Sequence, residues 1–178
     1  TLESSHVPII MLTAKNTKDT KLQGFDIGLD YFLGKPFDND ELKGVLKTVI
    51  QNRKKLQEIF TKSIISQDLK PNSKIDPFLI KFKSYLQSNF SDSELSLTQM
   101  ASEFNLSQKQ FIRKIKSLSG LTPKEFLRKY RLKKAAELIE EGEGNIADVA
   151  YAVGYENRSY FSKTFQKEFG VLPSNYSK

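Results

Sequence analysis

Cysteine is absent from this 178-residue chain, which excludes a disulfide framework and thiolate metal sites and suits a reducing compartment. Histidine occurs once, as His6, without ligand partners near it, and reads as a surface residue. Ser, His and Asp form no spacing that suggests a catalytic triad, and no glycine-rich loop is present to cradle a phosphate. No apolar run approaches the roughly 20 residues a membrane span needs, and Thr1 to Ser5 do not look like a signal peptide. The expectation is a soluble, cytoplasmic chain that is not an enzyme, uses no cofactor and makes no membrane contact.

What is present is positive charge in one place. The net charge is +7, yet residues 1 to 50 carry six Lys against seven acids. Leu106 to Lys134 hold ten Lys or Arg against the single acid Glu125, a local balance of +9. A field of this kind attracts a polyanion, although a charge run is more often a solvated face. It means nucleic acid only if a reading element accompanies it.

The pattern along the chain changes near residue 60. "VPIIMLTA" (7 to 14) is a short apolar run of the kind found in buried parallel strands. A helix is expected from about Lys18 to Leu29, then a second strand in "YFLGKPF", then a helix opened by a capping box of Asp38 and Glu41. Leu42, Val45, Leu46, Val49 and Ile50 recur on that helix at helical spacing. This βαβα pattern makes only part of a doubly wound sheet. Polar and basic residues from Arg53 to Ser73 suggest a linker. After Asp76-Pro77 every segment reads as helix. With 38% hydrophobic residues, two small packed cores are feasible. The expected organisation is 1–52, a partial α/β segment; 53–74, linker; and 75–178, all-α, so that the chain is mainly α.

The all-α part repeats itself. Ala101 and Asn105 correspond to Ala150 and Gly154 at a separation of 49, and Phe111, Ile115, Gly120 and Pro123 to Phe161, Phe165, Gly170 and Pro173 at 50. Each copy reads helix, tight turn, helix, with the alanine where two helices cross and Asn or Gly in position for a left-handed turn. Ser107 with Gln110, and Asn157, are caps for the second helices. This is helix-turn-helix patterning, twice. With Phe111, Ile115, Phe161 and Phe165 as core, Lys109, Gln110, Ile112, Arg113 and Lys116 face outward on one second helix, and Arg158, Ser159, Ser162 and Lys163 on the other. Arg113 and Lys163 are equivalent; arginine suits guanine O6 and N7 and glutamine suits adenine, while lysine discriminates less. Between the copies Thr122, Pro123 and Glu125 open a helix of some 18 residues, about 27 Å long against the roughly 34 Å between successive major-groove faces. Phe78, Phe82, Tyr85 and Phe90 recur at helical spacing and read as core.

"RLKKAAELI", "IADVAYAVGYENRSYFSKTFQKEFG" and the terminal Pro173-Ser174-Asn175-Tyr176 make residues 76 to 178 similar to an AraC-type DNA-binding domain over its whole length. The resemblance implies two recognition helices in consecutive major grooves of double-stranded DNA. Base-reading roles follow for Lys109, Gln110, Arg113, Arg158, Ser159, Ser162 and Lys163, with Lys116 beside them. Ile112 departs from the polar or aromatic reader common at its position. The front half, through "IIMLTA" and "GLDYFLGKPF", resembles the end of a response-regulator receiver domain. That implies a switch hydroxyl at Thr13, a rotating aromatic at Phe32 and the phosphoryl-pairing lysine at Lys35, followed by a cis bond to Pro36. The receiver's phosphoacceptor aspartate and acidic pair belong to strands not in this chain, so neither phosphate acceptance nor Mg²⁺ binding is expected of it; Mg²⁺ belongs to the intact receiver.

The pattern as a whole resembles the C-terminal end of a hybrid two-component protein, whose parent would be a histidine kinase anchored at a membrane. The expected function is sequence-specific duplex-DNA binding as a transcription regulator. Self-association through the receiver-like segment and contact with RNA polymerase are further expected partnerships. The alternative is a protein-interaction fragment that touches DNA incidentally.

Overall fold

The structure, a computed structural model, describes residues 9–14, 31–65 and 77–176. The helix expected over Lys18 to Leu29, together with His6 and Asp76, lies outside the described residues. The chain divides into two compact units, Thr1–Phe60 and Thr61–Lys178.

In the first unit β1 (Ile10–Thr13) and β2 (Tyr31–Gly34) pair in parallel, with Ile10 opposite Tyr31 and Thr13 opposite Gly34. The Lys35–Pro36 peptide bond is cis. Helix α1 (Asn39–Ile65) begins where Asp38 Oδ1 accepts from the Glu41 backbone N–H at 2.7 Å. It continues to Ile65, so the first part of the stretch expected as linker is helical. Leu33, Val45 and Val49 form the core, with Ile10, Phe37 and Leu42 packed on it. Leu46 and Ile50, expected on the same face, are instead 42% and 53% exposed. Each lies one residue, about 100° of helical turn, beyond a buried valine, and the two described strands cover only a narrow strip of helix.

The second unit is helical, with no strand among its described residues. In order come α2 (Pro77–Asn89), α3 (Leu97–Glu103), α4 (Gln108–Ser119), α5 (Pro123–Glu141), α6 (Ile146–Ala152) and α7 (Arg158–Phe169), then a 3₁₀ turn, Pro173–Asn175. Aromatic rings fill the first half. Phe82 meets Phe126 at 5.3 Å between centroids, and Phe104 meets Phe78 and Phe111 at 4.9 and 5.4 Å. Each fully buried Phe contributes about 1.5–3 kcal/mol by transfer alone. Around the second copy Leu132, Ala135, Ala136 and Ile139 of α5 pack with Val149, Ala150, Val153, Phe161 and Phe165. These four α5 residues hold one side of that core. No described helix is long and apolar enough to cross a membrane.

Candidate nucleic-acid interface

The two copies share one backbone device. Asn105 has φ 53° and Gly154 φ 81°, the left-handed conformation that ends a helix and turns the chain sharply. In both, the following N–H reaches back to the crossing alanine: Leu106 to Ala101 O at 3.0 Å and Tyr155 to Ala150 O at 2.9 Å. Ala101 and Ala150 are buried, because only a small side chain lets the helices cross so closely. Helices α4 and α7 also end alike, on left-handed Gly120 and Gly170.

The starts of α4 and α7 differ, and the difference bears on what each can read. In α4 the Ser107 side chain accepts from the Gln110 N–H, while Gln110 Oε1 accepts from the Ser107 N–H at 3.0 Å and from its hydroxyl at 2.9 Å. The Gln110 carbonyl is therefore occupied by the cap, and gripping adenine with both ends of its amide requires that cap to open. In α7 Asn157 Oδ1 accepts from the Tyr160 N–H at 2.8 Å, and no side chain returns the bond. Tyr160, the equivalent of Gln110, is 59% exposed.

Phe111, Ile115, Phe161 and Phe165 are fully buried, and they orient the remaining faces. Lys109, Arg113 and Lys116 are exposed together on α4, while Ile112 is half-buried. On α7 Arg158, Ser159 and Lys163 are exposed and Ser162 is half-buried. Stepping about 100° per residue, Ser159, Lys163 and Gln166 form the stripe that matches Lys109, Arg113 and Lys116. Tyr160 and Gln166 join the candidate surface although sequence reasoning passed over them. The 50-residue repeat, aligning them with Gln110 and Lys116, was the signal that could have found them.

Not all of the basic run is available for a polyanion. Lys129 is paired with Glu168 of α7, Lys134 with Glu137, and Lys114 Nζ lies 5.4 Å from the centre of the Phe78 ring. Among the described residues Lys109, Arg113 and Lys116 have no salt-bridge partner. Glu125, the one acid in the run, accepts from Thr122 in a capping box, which holds its carboxyl below the usual range, helped by Arg128 and Lys116. Burial pushes the Tyr155 hydroxyl up to about 12 despite Arg131 nearby, and that hydroxyl has no hydrogen-bond partner among the described residues. No cluster of His, Asp or Glu able to hold a metal ion occurs among the described residues.

In the first unit Thr13 and Lys35 come together at the C-terminal ends of the strands. The Lys35 backbone N–H donates to Thr13 O at 2.7 Å, and the Lys35 side chain is exposed. Phe32, opposite Met11, is half-buried on β2. Such strand ends are where open parallel sheets hold ligands.

Comparison with known proteins agrees with this geometry. A family model described as a helix-turn-helix domain matches residues 100–178. Histidine kinase P4 of Formosa agariphila is 32% identical over 177 residues, which is 98% of this chain and 13% of that protein. The HTH-type transcriptional activator RhaS of Escherichia coli is 34% identical over 90 residues, 51% of this chain and 32% of the activator. The C-terminal domain of AraT, a response regulator from Geobacillus stearothermophilus, superposes with a TM-score of 0.54 at 38% identity, covering 58% of this chain and 86% of that one. The chain spans well under half the length of the two relatives found by sequence. In its second unit, this chain belongs to the AraC-type helix-turn-helix family of DNA-binding transcription regulators.

Proposed function

We propose that the second unit reads duplex DNA in two consecutive major grooves, α4 in one and α7 in the next, as the output module of a two-component signalling protein. The observation that carries this is the pair of equivalent helices presenting Lys109, Arg113 and Lys116, and Ser159, Lys163 and Gln166, on matching faces. Arg113 grips a guanine edge with two parallel bonds, and Lys163 supplies a less discriminating point charge. Tyr160 offers a ring to a base edge, and Arg158, Ser162 and Gln110 set the register beside them. The signalling half of the proposal is supported by the kinase relative and by Thr13 and Lys35 side by side at the strand ends.

On this reading the chain acts in the cytoplasm and catalyses nothing itself, Mg²⁺ binds only in the intact receiver, and RNA polymerase is the downstream partner. The exposed Leu46 and Ile50 on α1 favour a homodimer through the first unit. Selection of bound duplexes from a randomised pool, at near-physiological salt, tests the proposal. Two short blocks about 10 base pairs apart are expected, with Arg113→Ala relaxing one and Lys163→Ala the other. Failure of the folded protein to recover any motif would refute it.

A further inference from the structure

Arg131 lies within the basic run, but its guanidinium points into the protein. Its Nε donates to Phe90 O at 2.7 Å and its Nη2 to Asp92 O at 2.6 Å, fastening α5 to the loop that enters α3. Burial lowers its pKa, opposed by Tyr155 and Asp92. The turn of the second copy rests on the same group. A Cβ on Gly154 would stand 2.9 Å from Phe90 O and 3.0 Å from both Cζ and Nη2 of Arg131. Asn105, the equivalent residue of the first copy, carries a side chain at φ 53°. Glycine is therefore required at 154 by the close approach as well as by its backbone angle. Two residues further on, Glu156 Oε1 accepts from the Ser93 hydroxyl at 2.9 Å, a second tie between the same loop and the same turn.

Three segments thus meet at one point: the loop 90–93 that leads into the first helix-turn-helix, the linker helix α5, and the turn 154–156 of the second. We propose that this joint, with Arg131 as its positioning residue and Ser93–Glu156 as its outer tie, sets the separation of the two recognition helices and hence the base-pair spacing the protein accepts between its two half-sites. Covalently the copies are joined only through α5, and a helix end can pivot; two charge-assisted hydrogen bonds and a backbone contact without intervening side chain remove that freedom. A planar fork can hold two carbonyls at once, whereas a lysine ammonium at the same place holds one with looser geometry. The inference rests on the two-groove reading above.

The test uses the whole chain and the duplex recovered by selection, rebuilt with its two blocks moved apart or together by one and two base pairs. Wild type is expected to prefer the native spacing about tenfold over either neighbour, the discrimination one or two good contacts supply. Arg131→Lys and Ser93→Ala, each checked for helical circular dichroism, should keep the base preferences inside each block while that spacing preference falls severalfold, more for Arg131→Lys. Folded variants that lose affinity equally at every spacing, with the wild-type preference intact, overturn the proposal. If Arg131→Lys does not fold, the exposed Ser93→Ala decides alone by the same criterion. A wild type that binds one block and ignores the second overturns the two-groove reading, and the joint with it; a spacing-blind wild type that still reads both blocks overturns the joint alone.

Discussion

Gly154→Ala compared with Gly170→Ala isolates the contact at the joint from ordinary backbone strain. Both glycines sit at nearly the same angle, φ 81° and 80°. An alanine in that conformation costs about 1 kcal/mol or somewhat more. At Gly170 the new Cβ meets no described atom within 4 Å, so that cost is the expected effect. At Gly154 the methyl falls 2.9 Å from Phe90 O, a backbone atom that cannot swing aside, and 3.0 Å from the Arg131 guanidinium. Relieving the overlap displaces the guanidinium from at least one of its two carbonyls. A hydrogen bond to a charged group contributes about 1.5–3 kcal/mol. Gly154→Ala should therefore destabilise by about 2.5–4 kcal/mol and Gly170→Ala by about 1. Urea unfolding followed by tyrosine fluorescence reads the difference, because six of the seven tyrosines (Tyr85, Tyr130, Tyr151, Tyr155, Tyr160 and Tyr176) belong to the second unit. Equal losses at the two sites would refute the close approach as the reason for glycine at 154.

Three further substitutions test the same geometry. Gln110→Ala removes half of a capping box and should cost about 0.5–1 kcal/mol in urea unfolding while leaving the selected DNA motif unchanged; a relaxed motif with unchanged stability would make Gln110 a reader instead. Tyr155→Phe deletes a buried hydroxyl that has no partner among the described residues, so at neutral pH it should be neutral or stabilising by up to about 1 kcal/mol. With its pKa raised from 10.0 to about 12, the folded protein holds that proton longer than the unfolded chain. Wild-type stability should accordingly fall as pH rises from about 10 to about 12, and the fall should be shallower in Tyr155→Phe; an identical alkaline slope contradicts the assignment. Phe82→Ala, at the centre of the aromatic cluster, should cost about 3–5 kcal/mol, and a loss under 1 would mean that the cluster does not hold the first copy together.

Much of the second unit was legible because its determinants are local and occur twice. Ala101 and Ala150, Asn105 and Gly154, Phe111 and Phe161 each occupy a position that a short helix-turn-helix demands, so the repeat carries the fold. The N-caps are equally local: Ser107 with Gln110 and Thr122 with Glu125 lie three residues apart, and their bonds form as the spacing suggests. Residues whose partners are remote were misjudged or missed. Arg131 counted as one more cation in the basic run, yet its acceptors are backbone carbonyls about 40 residues earlier in the chain. Lys129 finds its acid on α7, beyond any window over which local charge was summed. Leu46 and Ile50 obey helical spacing, but spacing cannot say how wide a strip the opposing sheet covers. Gln110 satisfied two patterns at once, cap and reader, and only the geometry of its amide shows which bonds it makes.

The central claim is that α4 and α7 lie in successive major grooves on one face of the duplex. Hydroxyl-radical footprinting of the selected site is its most direct test. Two protected patches about one helical turn, 10 to 10.5 base pairs, apart are predicted, the first weakened by Arg113→Ala and the second by Lys163→Ala. A single patch that responds to both substitutions would contradict the account.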